Sequence, residues 1–319
     1  MSVDSVSESR TADQPGVAAN VPVPTAAGLA ALTADVTVRP ARGPFSLAML
    51  RLRRAKLALA GLVLVVALVI VAIFASRIAP YGENEIDLFN ITAARSSAHW
   101  LGTDELGRDE LSRLMYGGRI SLVVGVASAL LSTALGILVG AIAGYYGGWI
   151  DAALMRFVDL MLAFPAIFLL LIVFSLRGSS VWSVILFLGL FGWMWLARII
   201  RGEFLALKAR EFVEAARSVG VPDGRIIIRH LLPNVGAAII VSTTLSIAYN
   251  MLAEATLSFL GFGVPPGTPT WGNMLNAARP NYTTHPVLAI APGLTLTVAV
   301  LAINFVGDGL RDAFDPRGN

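Results

Sequence analysis

The chain has 319 residues, 56% of them hydrophobic and only 14% charged, with a mean hydropathy of +0.72. An ordinary soluble domain carries about 25% charged residues, so a soluble surface and widespread disorder are both excluded. A net charge of +3 without a basic soluble patch speaks against a nucleic-acid binder. Cysteine is absent, and the three histidines, His99, His230 and His285, are scattered. Disulfides, iron–sulfur clusters and thiolate zinc sites are therefore excluded, and no metal or other cofactor is expected. An integral membrane protein is the class that remains.

Residues 1–45 are small, polar and proline-containing. They read as a disordered tail, and they lack the early positive end and apolar stretch of a cleaved signal. A basic flank containing Arg51, Arg53, Arg54 and Lys56 precedes the first apolar run, 57–79, so 46–80 is read as flank plus first span. That run is long enough to cross a hydrocarbon core of about 30 Å. Five more runs follow, at 120–146, 154–176, 181–200, 235–260 and 287–306. The expectation is an all-α polytopic membrane protein with six transmembrane helices.

Arginine and lysine near the span ends give the orientation. Arg156, Arg198, Arg201, Lys208, Arg210, Arg217, Arg225 and Arg229 fall on the side of the N-terminal flank. Fewer basic residues fall opposite, and acidic residues stand among them there. Both termini are expected in the cytoplasm, with the chain in the plasma membrane and lipid around it. The segment 81–119 is then extracytoplasmic, and 120–319 is a core domain with five spans and an inner loop at 201–233.

That inner loop contains EFVEAARSVGVPDGRIIIRHLLPN. Phe212, Ala215, Ala216 and Val219 fall at i, i+3, i+4 and i+7, a narrow apolar stripe with small residues at its centre. Gly220 suits a helix stop and Pro222 the first turn of a second piece, which Pro233 ends. The stripe can lie on the bilayer or admit another protein surface; the residues alone do not choose.

Glu214-Ala215-Ala216, Gly220 and Leu232-Pro233 resemble the EAA loop of bacterial ABC-importer permeases. The family pattern often has Ile ten residues after the glycine, where this chain has His230. HWLGTDELGRDELSRLMYGGRISL, LSFLGFGVPPGTPTWGNMLNAAR and VGDGLRDAFDPR resemble the C-type permease of dipeptide, oligopeptide and nickel importers. These blocks stand in the family's order, from about residue 45 to the end. The resemblance implies a type I importer permease fold that passes di- or oligopeptides inward. It implies a B-type permease partner, two ABC ATPase subunits and an extracytoplasmic substrate-binding protein. By resemblance, Glu214 makes polar contacts to the ATPase, Ala215 and Ala216 permit docking, Gly220 sets the turn, and Leu232 and Pro233 complete the loop. No GxxxxGK[ST] phosphate loop is present, so the chain is read as non-catalytic. Nickel complexes or haem are the alternative cargo. An ion-coupled secondary transporter is the rival mechanism, and an intramembrane enzyme lacks a recognisable nucleophile or metal set.

Three polar residues inside spans are candidates for the translocation path: Asp159, Asn250 and Glu254. Asp159 can instead pair with Arg156 at i, i+3, and Glu254 can pair with a neighbouring chain. His99, Asp104, Arg108 and Asp109 read as architectural, with Thr103 or Asp104 capping the helix into the second span. Trp271 lies in a turn-rich segment read as an outer hairpin, as a headgroup anchor or a receptor contact.

Overall fold

The computed structural model describes residues 50–52, 55–165, 168–170, 172 and 178–314. The expected tail, 1–45, lies outside them. The described residues 50–314 fall within the compact unit Pro44–Asn319. Among the described residues the chain is helical, with a single isolated bridge, Thr103 to Asp109, and no strand.

The helices are α1 (Lys56–Ile73), α2 (Ala75–Ile78), α3 (Glu110–Tyr146), α4 (Gly148–Ala163), α5 (Val181–Lys208), α6 (Glu211–Ser218), α7 (Asp223–Arg225), α8 (Gly236–Phe259), α9 (Trp271–Ala277) and α10 (Val287–Phe314). Among the described residues, five helical stretches are long and apolar enough to cross a membrane: α1, α3, α5, the run Asp223–Phe259 and α10. The third expected span, 154–176, falls on α4 and on residues of which several lie outside the described set.

Several helices outrun the apolar runs that announced them, α3, α5 and α10 among them. α3 begins ten residues before the expected 120, and α5 continues eight residues past 200. At 1.5 Å per residue α3 is about 55 Å long, well beyond a hydrocarbon core. Its first turn forms because Asp109 caps it. The Asp109 carboxylate accepts from Ser112 N at 2.8 Å and from Ser112 Oγ at 2.7 Å. The cap is thus Asp109, not Thr103 or Asp104, because the bridge between Thr103 and Asp109 delays the helix to Glu110.

Small residues on α3 let neighbouring backbones approach. A Cβ on Gly140 would stand 2.5 Å from Ala197 O, and one on Gly144 would stand 2.6 Å from Phe204 Cβ. The repeated glycines of GILVGAIAG are therefore a packing face toward α5. Toward the other end, Met251, Ala255, Trp271, Met274, Leu296 and Ala299 bury a second cluster among α8, α9 and α10. α1 seats against α10 where Gly61 meets Ala302 and Phe305.

The inner loop differs from its expected layout. Pro233 does not end the second piece. After α7 the backbone widens into a π-helix over Ile226–Leu231, tightens into a 3₁₀ turn over Leu232–Val235, and enters α8. Proline has no N–H to offer and sits in the first positions of the 3₁₀ turn, so the helix passes through the change of pitch instead of stopping.

Candidate functional site

The inner loop is mounted on a rigid base. Val213 and Ala216 on α6 are buried with Phe204, Ile226, Leu231 and Val235, beside Ala141 and Tyr145 of α3. The expected stripe is therefore split. Ala216 is 8% exposed and turns inward, whereas Phe212, Glu214, Ala215 and Val219 are exposed. Val219 alone is 79% exposed. The free face thus joins apolar Phe212, Ala215 and Val219 with Glu211 and Glu214.

A Schellman motif stops α6. Val221 N donates to Ala216 O at 3.1 Å and Gly220 N to Arg217 O at 2.9 Å. Gly220 has φ +77, a left-handed conformation that glycine adopts at little cost. Leu232 is half-buried against the same base, and Pro233 is exposed beside it.

Polar contacts brace this end. Arg201 donates to both oxygens of Asp151, at 2.5 and 2.6 Å, tying α5 to α4. Tyr145 OH donates to Asp223 Oδ1 at 2.6 Å. Asp159 takes its hydrogen bond from Arg198 Nη2 on α5, at 2.6 Å. An interhelical pair thus replaces the expected one with Arg156, because α5 runs alongside α4 and presents its guanidinium there.

Asn250 and Glu254, one turn apart on α8, have different surroundings. Glu254 is fully buried. It accepts from Ser258 Oγ at 2.7 Å and from Ser121 Oγ at 3.3 Å. Those hydroxyls in turn accept from Val264 N at 3.1 Å and Trp271 N at 3.2 Å. The carboxylate therefore fastens the 261–271 turn to α3 and α8, with partners inside this chain. Trp271 is 1% exposed and donates from Nε1 to Leu114 O, so it is a core residue and not a headgroup anchor.

Asn250 lines two adjoining cavities of about 470 and 320 Å³ that also share Phe191, Gly192 and Tyr249. Ser132, Met161, Trp195 and Ser246 extend the larger one. Its Nδ2 is buried without a hydrogen-bond partner. Among the described residues no charged side chain lines either cavity. Neither Glu254 nor Asp159 lines them. Phe191, Tyr249 and Tyr145 were not singled out by sequence, since an aromatic residue in an apolar run carries no local sign of what it faces.

The 81–109 segment is held by its own polar lattice. His99 stacks on Tyr81 and its Nδ1 lies 3.0 Å from Asp109 Oδ1. Asp104 pairs with Arg108 at 2.7 Å and stands 3.6 Å from Arg113. The Asn90 amide, with the Phe89 N–H, holds the Asp87 carboxyl below its ordinary value. Every one of these groups is engaged in shaping the segment.

Residues 136–318 match the family described as "Binding-protein-dependent transport system inner membrane component". Residues 43–94 match "N-terminal TM domain of oligopeptide transport permease C". A putative peptide permease protein of Brucella suis biovar 1 is 47% identical over 277 residues, covering 86% of this chain and 92% of its own. A glutathione transport system permease protein of Shigella sonnei is 43% identical over 291 residues, covering 90% and 96%. A solved structure of the MetNI methionine ABC transporter in an inward-facing conformation matches with a TM-score of 0.52. It is 18% identical and covers 64% of this chain and 96% of that one, a likeness of fold.

Proposed function

The chain belongs to the family of binding-protein-dependent transport system inner membrane components, and from that premise we propose that it is the membrane subunit through which an ABC importer passes short peptides into the cytoplasm. The observation that carries this reading is α6, a short helix with one face anchored in the bundle and the other left open. An exposed helical face of small and apolar residues edged by carboxylates suits a groove on another protein. Here that protein is a cytoplasmic ATPase subunit. Glu214 and Ala215 meet it directly, while Ala216, Gly220, Leu232 and Pro233 hold the helix in position.

Closure of two ATPase subunits on ATP moves α6 and shifts the bundle between outward and inward access. A second, B-type permease completes the path, and a substrate-binding protein delivers cargo on the far side. The uncharged cavities around Asn250 are this chain's share of that path. Peptides are favoured as cargo because relatives over 40% identical are named for a peptide and for glutathione, itself a short peptide.

The test is transport by the complex with its partners in liposomes. Charge reversal at an interface costs several kcal/mol, so Glu214→Arg should lower peptide uptake more than about tenfold while ATP hydrolysis continues. Normal ATP-driven uptake by that variant overturns the docking role of α6.

A further inference from the structure

Tyr145, next to last in α3, makes contacts that packing alone does not require. Its hydroxyl donates to Asp223 at the start of α7, at 2.6 Å. The Arg217 guanidinium of α6 lies 5.2 Å from its ring centroid. The Lys208 ammonium, at the end of α5, lies 6.0 Å from it. The ring itself is buried among the residues that seat α6. One side chain of α3 thus touches all three elements that bracket the docking loop. A phenylalanine would fill the same space and leave Asp223 unheld.

We propose that Tyr145 is the positioning residue that locks α6 to α3, so that motion imposed on α6 enters the bundle through α3. This rests on the reading of α6 as the ATPase-docking helix. Without the clamp, force on α6 reaches the bundle through the apolar seat of Val213 and Ala216 and along the chain. On one side lies the Ala209–Arg210 link to α5. On the other lies the π-helical and 3₁₀ stretch, whose poorer hydrogen-bond geometry makes it the softer connection. With the clamp, α3, α5 and α6 move as one body, and the change of pitch before α8 absorbs the displacement.

The chain has no cysteine, so an engineered pair is its only reactive pair. Spin labels at Tyr146→Cys and Ser218→Cys, both on exposed residues, report the α3–α6 distance in the assembled complex. The first reading is the mobility of the Ser218 label when ATPase subunits are added. If it is not immobilised, the docking reading fails, independently of the clamp. If it is immobilised, the pair should keep one narrow distance distribution in the nucleotide-free and ATP–vanadate states. Tyr145→Leu should broaden that distribution and lower peptide imported per ATP by about tenfold. Tyr145→Phe, which keeps the ring and its cation contacts, should lower the ratio about threefold. Asp223→Asn, which keeps an acceptor, should match the unaltered protein. A distance change above about 5 Å, one helical turn, between the two states overturns the clamp. So does a Tyr145→Leu distribution identical to that of the unaltered protein.

Discussion

Glu254 is a carboxylate in an apolar run, and its neighbours decide its role. It accepts from two hydroxyls, each of which holds a backbone N–H of the segment after α8. Glu254→Leu leaves two buried hydroxyls short of an acceptor, at about 1–3 kcal/mol each. The purified protein should lose several degrees of Tm, on the order of 1–2 °C per kcal/mol for a chain this long, and Glu254→Gln should lose less. A Leu variant with unchanged Tm and abolished uptake would instead make Glu254 a path residue. The sequence marked Glu254 as the sharper anomaly, with pairing as one of its readings, and Asn250 beside it as a path candidate. Their separation became visible only with Ser121 beside Glu254 and two cavities beside Asn250, because Ser121 is 133 residues away and the cavity lining comes from several helices, which leaves no local trace.

At the scale of elements, glycine shows how position outweighs composition. In α3 a Cβ at Gly140 would overlap the α5 backbone at Ala197, whereas in α5 a Cβ at Gly202 would meet nothing within 4 Å. Gly140→Leu forces α3 and α5 apart and should cost at least about 1–3 kcal/mol, the usual range for overpacking. Gly202→Ala should be neutral or stabilising by about 0.5–1 kcal/mol through helix propensity. Thermal unfolding in detergent distinguishes them, and equal shifts would mean that α3 and α5 do not meet through this face. Helices were legible as apolar runs, and the stop at Gly220 as a chemical necessity. The start of α3 was legible only roughly: a helix into the second span was expected from a cap at Thr103 or Asp104, and the bridge from Thr103 to Asp109, which no local signal announces, moves it to Glu110. The split between Ala215 and Ala216 was not legible. They are consecutive in sequence and about 100° apart around the helix, and only the base formed by Tyr145, Phe204 and Ile226 shows which of them is the inward one.

At the scale of the whole molecule, much of the scarce charge beyond the N-terminal flank lies in two places: residues 81–119, and the inner loop with the helix ends beside it. Both were visible in the sequence as breaks in the apolar pattern. The spacing of apolar runs indicated the helices between them, whereas their order around the bundle depended on which small residues on α3 face which neighbour. Arginine and lysine concentrate beside the inner loop, a bias from which that side is expected in the cytoplasm. ATP is cytoplasmic, so the proposed function requires the same orientation from an independent direction. Phe89 is 98% exposed in the first charged region, and Ser218 is exposed in the second. In the cysteine-free chain, Phe89→Cys should react with a membrane-impermeant maleimide on intact cells, and Ser218→Cys only after permeabilisation. The reverse pattern would place α6 away from ATP and end the coupling mechanism whatever its fold; labelling of both on intact cells would put the two regions on one face and break the span order between them.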